Sequence, residues 1–177
     1  MLYGKDIKFD IHKLEEQHSS IIQNFNCGND EIDKYLKYKA LGDIENGNSL
    51  TKVAIGKDNE IIAYYSINCS AIVMENHNHK YFSPAIEIKM FAVNSKYHKI
   101  PYSDDDDDTF ATHLLCFIIK EITKITEETC GASSIILYSV PYAKKFYSDI
   151  GFEPFEEYMV SNADMYLKGC RPMWFKL

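Results

Sequence analysis

The residues able to do chemistry are few, and most of them are acids. Glu87 stands in the run SPAIEIKMFAVN, which otherwise reads as a strand with a buried face. A carboxylate on an apolar strand is costly to bury, so it has a partner or a task. Five consecutive aspartates, Asp104 to Asp108, follow the stretch YHKIPYS. Such oxygens can ligate a divalent cation. They can equally cap the free amides of a following helix and complement its dipole, or form a solvated face. His77-Asn78-His79 offers two imidazoles in a polar loop, but no further ligands accompany them, so no metal site is expected. Cys27 and Cys170 lack the neighbouring pattern that marks a nucleophile. Neither a P-loop nor GxGxxG occurs.

The elements that must hold these residues follow from periodicity and turn chemistry. Within residues 10–25, helical spacing joins Ile11, Leu14, His18, Ile21 and Ile22. Asn29 or Asp30 can cap a second helix with an apolar face of Ile32, Tyr35, Leu36 and Leu41. After the NGNS turn, Val53 and Ile55, a KDNE turn and residues 61–67 read as a hairpin. The strand bearing Glu87 comes next. The run TFATHLLCFIIKEITKITEETCG is the clearest helix, with Gly131 as its expected stop. A strand SSIILYSV, a short helix PYAKKFYSDIG ending at Gly151, and closing strands in FEPFEEYM and MWFKL complete the chain. Strand–helix–strand order implies a parallel pair with a crossover, and the hairpins imply a mixed sheet. The expected class is α/β (α+β), a mixed central sheet flanked by helices.

Composition narrows the setting. The 177 residues fit one domain, 1–177, and 46% hydrophobic content supports a true core. No apolar run is long enough to cross a bilayer, and the charged start MLYGKDIKFDIHKLEEQ lacks an export signal, so a cytoplasmic protein is expected. The odd count of five cysteines, without a CxxC pair, agrees with reduced thiols. A net charge of −7 and a single arginine, Arg171, disfavour nucleic acid as a general partner.

Two local patterns, taken with the element order, resemble the GNAT acyltransferase family. One is Glu87-Ile88-Lys89-Met90-Phe91-Ala92-Val93 followed by a helix with Leu114-Leu115. The other is Ala143 to Phe152, AKKFYSDIGF, similar to that family's A-x-x-F-Y-x-x-x-G-F signature near the chain end. Residues 25–36, FNCGNDEIDKYL, look like the F-x-C-G opening of a branch that includes toxin-like bacterial acetyltransferases. The resemblance spans about residues 20–177 and is weakest in the middle.

The resemblance implies acetyl-CoA as co-substrate and direct attack by an amine in a ternary complex. An amine attacks only as the free base, so its proton must reach a base or water. Glu87 stands where the family often has a glutamate acting through water. Tyr147 matches the family tyrosine that faces the coenzyme sulfur and protonates the leaving thiolate. The backbone of Phe91, Ala92 and Val93 is expected to pair with the pantetheine arm as an added strand. On the same likeness Ser139, Tyr142, Ala143 and Phe146 belong to the coenzyme site.

The pyrophosphate loop departs from the family. Where [RQ]-x-x-G-x-[GA] is usual, this chain has His98, no glycine, and the aspartate run. Three readings stand. The insertion stands aside in solvent, leaving the amides of Phe110, Ala111 and Thr112, with charge from His98 or Lys99; or the aspartates hold a bridging cation; or coenzyme A no longer binds. The loop and the ending Gly169-Cys170-Arg171-Pro172-Met173 also resemble a subfamily with both features. Val140 replaces the frequent pantetheine-binding asparagine, with Ser139 or Tyr142 as substitutes. The expected acceptor is a small-molecule or protein amine. The alternatives are an aminoacyl-tRNA, as in toxin-like members, and a degenerate binding module. No membrane partner is expected, and a homodimer stays open.

Overall fold

The structure is a computed structural model that describes residues 2–76, 79–155 and 169–177. The chain divides into two compact units, residues 1–67 with 90–115, and residues 68–89 with 116–177.

The first unit opens with strand β1, Phe9–Lys13, paired antiparallel to β2, Leu50–Gly56. This corrects the helix expected over residues 10–25. Lys8-Phe9-Asp10-Ile11-His12 alternates polar and apolar, and Phe9 and Ile11 are the more buried of the set. That period of two fits the open edge of β2. Helix survives only as a 3-10 turn at Glu16–His18 and helix α1, Ser19–Ile22.

Helix α2, Asp30–Tyr38, begins at an Asn29 cap whose side chain accepts from the Glu31 and Ile32 amides. Tyr35 and Leu36 are buried as its periodicity predicts, whereas Leu41 lies on a separate helix α3, Ala40–Glu45. The F-x-C-G segment is a capping device here. Gly28 takes a left-handed φ of 83°, and buried Asp33 accepts the Cys27 amide proton at 2.9 Å. Beneath it, Phe25 meets Tyr64 edge-on at 5.3 Å. The Tyr35 hydroxyl joins Asp43, Ser49 and Ser66 within 3.1 Å.

The hairpin is present as β2 and β3, Ile61–Asn76, with Asn59 at φ 58° in its turn. Strand β4, His79–Val93, starts well before the expected run. The acidic stretch forms a small hairpin of β5, Pro101–Ser103, and β6, Asp106–Thr109. Helix α4, Phe110–Glu128, follows directly. It ends before Gly131: the Thr129 and Cys130 amides both donate to the Ile125 carbonyl.

In the second unit, β4 pairs parallel with β7, Ser134–Ser139, across the helix as the strand–helix–strand order implies. Helix α5, Lys144–Ile150, closes at Gly151 with φ 109°, and strands β8, Glu153–Pro154, and β9, Arg171–Lys176, pair antiparallel. The sheet order is β1-β2-β3-β4-β7-β9-β8, a mixed and mostly antiparallel sheet flanked by helices. Of the closing strand expected in FEPFEEYM, residues 156–159 lie outside the described residues.

One sheet face in this unit buries Ile86, Ile88, Ile135, Leu137 and Met173. The other carries Ile72, Ala85 and Ile136, with Phe155 and Trp174 packed on them. No helix among the described residues is long and apolar enough to cross a membrane.

Candidate functional site

The chemistry-bearing residues of the second unit are set by strand register. Glu87 on β4 lies opposite Ile136 on β7. Side chains two apart along a strand share a face, so Tyr138 joins Glu87 and Ile136 on one side of the sheet. Glu87 is half-buried and accepts a hydrogen bond from Asn68 Nδ2 at 3.4 Å. A carboxylate only accepts, so the Asn68 amide must present its nitrogen to Glu87. Its oxygen is then left buried, and it finds no hydrogen-bond partner among the described residues. The Tyr138 hydroxyl is pushed up to about 12, first by burial and then by the Glu87 charge.

Tyr147 sits on α5. The ring meets Phe146 edge-on at 5.2 Å and Phe152 at 5.8 Å, and Phe152 donates its amide to the Tyr147 carbonyl. Loss of water around the hydroxyl is the largest cause raising its pKa well above the ordinary tyrosine range, with Tyr142 and Cys170 adding to it. The group is therefore a neutral acid through neutral and mildly alkaline pH. Burial also raises the Cys170 thiol. Ser139 is buried and donates its hydroxyl proton to the Val140 carbonyl at 2.9 Å. Tyr142 is three-quarters exposed, at 75%. Ala143 is the residue just before α5, and Phe146 is half-buried.

The first unit holds the other candidates. Ala92 and Val93 are buried at the end of β4, and Phe91 is half-buried. His98 Nε2 lies 2.9 Å from the Val93 carbonyl oxygen. A carbonyl can only accept, so Nε2 carries a proton. Lys99 is exposed, with a left-handed φ of 59°. Phe110 is buried, and its amide donates to the Ile100 carbonyl at 2.9 Å. The Thr112 amide donates to Thr109 Oγ1 at 3.3 Å. Of the three amides at the start of α4, Ala111 alone belongs to no such bond among the described residues.

The acidic hairpin is partly partnered. Tyr3 donates to Asp104, and Gly4 approaches so closely that a Cβ there would stand 3.0 Å from Phe110 Cβ and Tyr102 Cδ2. Asp106 meets His113 Nε2 at 2.7 Å, and Tyr102 stacks on that imidazole. The Asp108 amide and then His113 hold the Asp106 carboxyl below its usual range. Asp106, Asp108 and His113 bring ligand atoms within 4.8 Å of one another, a grouping a cation could use. Asp104, Asp105, Asp107 and Asp108 are exposed.

Burial, with Asp33 adding, pushes the Cys27 thiol up to about 12, which disfavours the thiolate that a nucleophile needs. His79 is exposed, and His77 lies outside the described residues. A shallow groove runs between α4 and the end of β9, lined by Phe117, Lys120 and Phe175, and no candidate residue lines it. The sequence reading missed Asn68 and Tyr138. The only signals were a lone amide in the apolar run YYSINCSAIV and a tyrosine two residues beyond Ile136.

No protein-family model matches the chain. Solved structures resemble it over nearly all of its length. A structure described as a bacterial toxin has a TM-score of 0.70 at 19% identity, covering 96% of this chain and 92% of that one. AtaTR bound with AcCoA has a TM-score of 0.70 at 14% identity, covering 95% and 92%. AtaT complexed with acetyl-methionyl-tRNAfMet has a TM-score of 0.69 at 13% identity, covering 96% and 95%. The chain thus shares its fold with these structures, the mixed sheet flanked by helices that its sequence led us to expect.

Proposed function

We propose that this protein is an acetyl-CoA-dependent N-acetyltransferase that acts on an amine by direct attack, working as one acyltransferase domain. The observation that carries the reading is Tyr147: a half-buried tyrosine on α5, within AKKFYSDIGF, in a chain whose fold is matched by a structure bound with AcCoA. The amine nitrogen bonds to the acetyl carbonyl carbon and loses a proton, through water, to Glu87. The carbon–sulfur bond then breaks, and the departing sulfur takes the Tyr147 proton. Glu87 returns its proton to solvent, and the Tyr147 phenolate takes one back.

Coenzyme contacts are assigned within each unit. In the first, the main chain of Phe91, Ala92 and Val93 suits an extended pantetheine arm, with His98 already bonded to Val93. Lys99, a cation, and the Ala111 amide, a hydrogen-bond donor at the start of α4, suit phosphate, because neither is engaged among the described residues as the Phe110 and Thr112 amides are. In the second unit, Ala143 and Phe146 flank the start of α5. The assay is thiol release from acetyl-CoA in the presence of amines. Wild-type turnover that falls with Tyr147→Phe supports the reading, and no thiol release with any acceptor sinks it.

A second reading names the acceptor as an aminoacyl-tRNA. The structural match to AtaT complexed with acetyl-methionyl-tRNAfMet favours it. The net charge of −7 and the single arginine weigh against it. Transfer to charged tRNA but not to free amines would establish it.

A further inference from the structure

We propose that Asn68 is the acceptor-positioning residue, its side-chain oxygen holding one N–H of the attacking amine; this rests on the acetyl-transfer reading above. Three observations carry it. Asn68 Nδ2 is held by Glu87, which fixes the amide's orientation. Asn68 Oδ1 is buried and has no partner among the described residues, a cost that an arriving N–H donor would remove. Glu87 and its diagonal neighbour Tyr138 share that face of the sheet, so the orphaned oxygen belongs to the same neighbourhood as the base.

A free primary amine carries two N–H bonds. One donates to Asn68 Oδ1 and turns the nitrogen lone pair toward the thioester. The other proton leaves for Glu87 through water when the nitrogen–carbon bond forms. A secondary amine has one N–H and cannot serve both. An N-methyl group placed at Oδ1 leaves that oxygen unpaired and adds bulk beside it. Among the described residues, strand alternation and register place Lys89 on β4, Tyr138 on β7, Lys176 on β9 and Glu153 on β8 on the same face as Glu87.

The test compares 2-phenylethylamine with its N-methyl derivative as acceptors, in the wild type and in Asn68→Leu. The wild type should prefer the primary amine by about tenfold or more in kcat/KM, the size of one unmade hydrogen bond. In Asn68→Leu that preference should fall to about twofold or less, with KM for acetyl-CoA unchanged. A wild type without the preference, or a variant that keeps it, overturns the proposal while leaving acetyl transfer standing. If no amine releases thiol, the enzyme reading fails instead, and the site is decided by binding alone. The Asn68 side-chain amide resonances are then followed by NMR during titration with 2-phenylethylamine. A saturable shift upholds the site, and no shift overturns it.

Discussion

Replacing Tyr147 by phenylalanine separates chemistry from folding. The ring keeps its edge-on contacts with Phe146 and Phe152 at 5.2 and 5.8 Å, so the packing is preserved. Loss of water around the hydroxyl is the first cause of its raised pKa, with Tyr142 and Cys170 adding to it. Its removal should therefore leave stability within about 0.5 kcal/mol. If the hydroxyl protonates the leaving sulfur, its loss should lower kcat by about 10²- to 10⁴-fold, or roughly 3–5 kcal/mol of barrier. The pH sign follows from the direction of the shift. A raised pKa keeps the acid form present at neutral and mildly alkaline pH, and activity is lost only as pH climbs through that raised value. Thiol release measured from pH 6 to 10 should therefore show no alkaline decline assignable to Tyr147. Unchanged kcat in Tyr147→Phe at every pH, with an unchanged melting curve, would refute the reasoning.

Further expectations concern other residues. Glu87→Gln should slow thiol release at neutral pH, with the deficit narrowing as pH rises and supplies free amine, which a pH–rate profile measures. Cys27 should resist alkylation at pH 8, where a thiol near 12 is ionised to about one part in 10⁴; exposed Cys69, Cys116 and Cys130 should label readily, as read by mass spectrometry. Asn29→Ala should cost about 1 kcal/mol by loss of the α2 cap. Asp33→Ala should cost about 1–3 kcal/mol by orphaning the Cys27 amide, both values read from denaturant unfolding.

Local patterning carried much of the fold in the sequence. The Asn29 cap, the turn at Asn59, the Gly151 stop and the parallel β4–β7 pair all follow from turn chemistry or element order. Strand β1 did not, because Ile11, Leu14, His18 and Ile22 satisfy a helical period as well as Phe9 and Ile11 satisfy a period of two. Only the open edge of β2 decides between them, and that is a long-range fact. The acidic run also hid its structure, since the partners of Asp104 and Asp106 are Tyr3 and His113. Motifs supplied Glu87 and Tyr147. Asn68 and Tyr138 reach Glu87 through register and pairing across strands, which no spacing within the chain displays.

Calorimetric titration of the purified protein with acetyl-CoA, with and without magnesium, bears most directly on the acetyltransferase reading. That reading predicts saturation at one acetyl-CoA per chain in both conditions, with the aspartate hairpin standing clear of the phosphates. No saturable heat in either condition would contradict it.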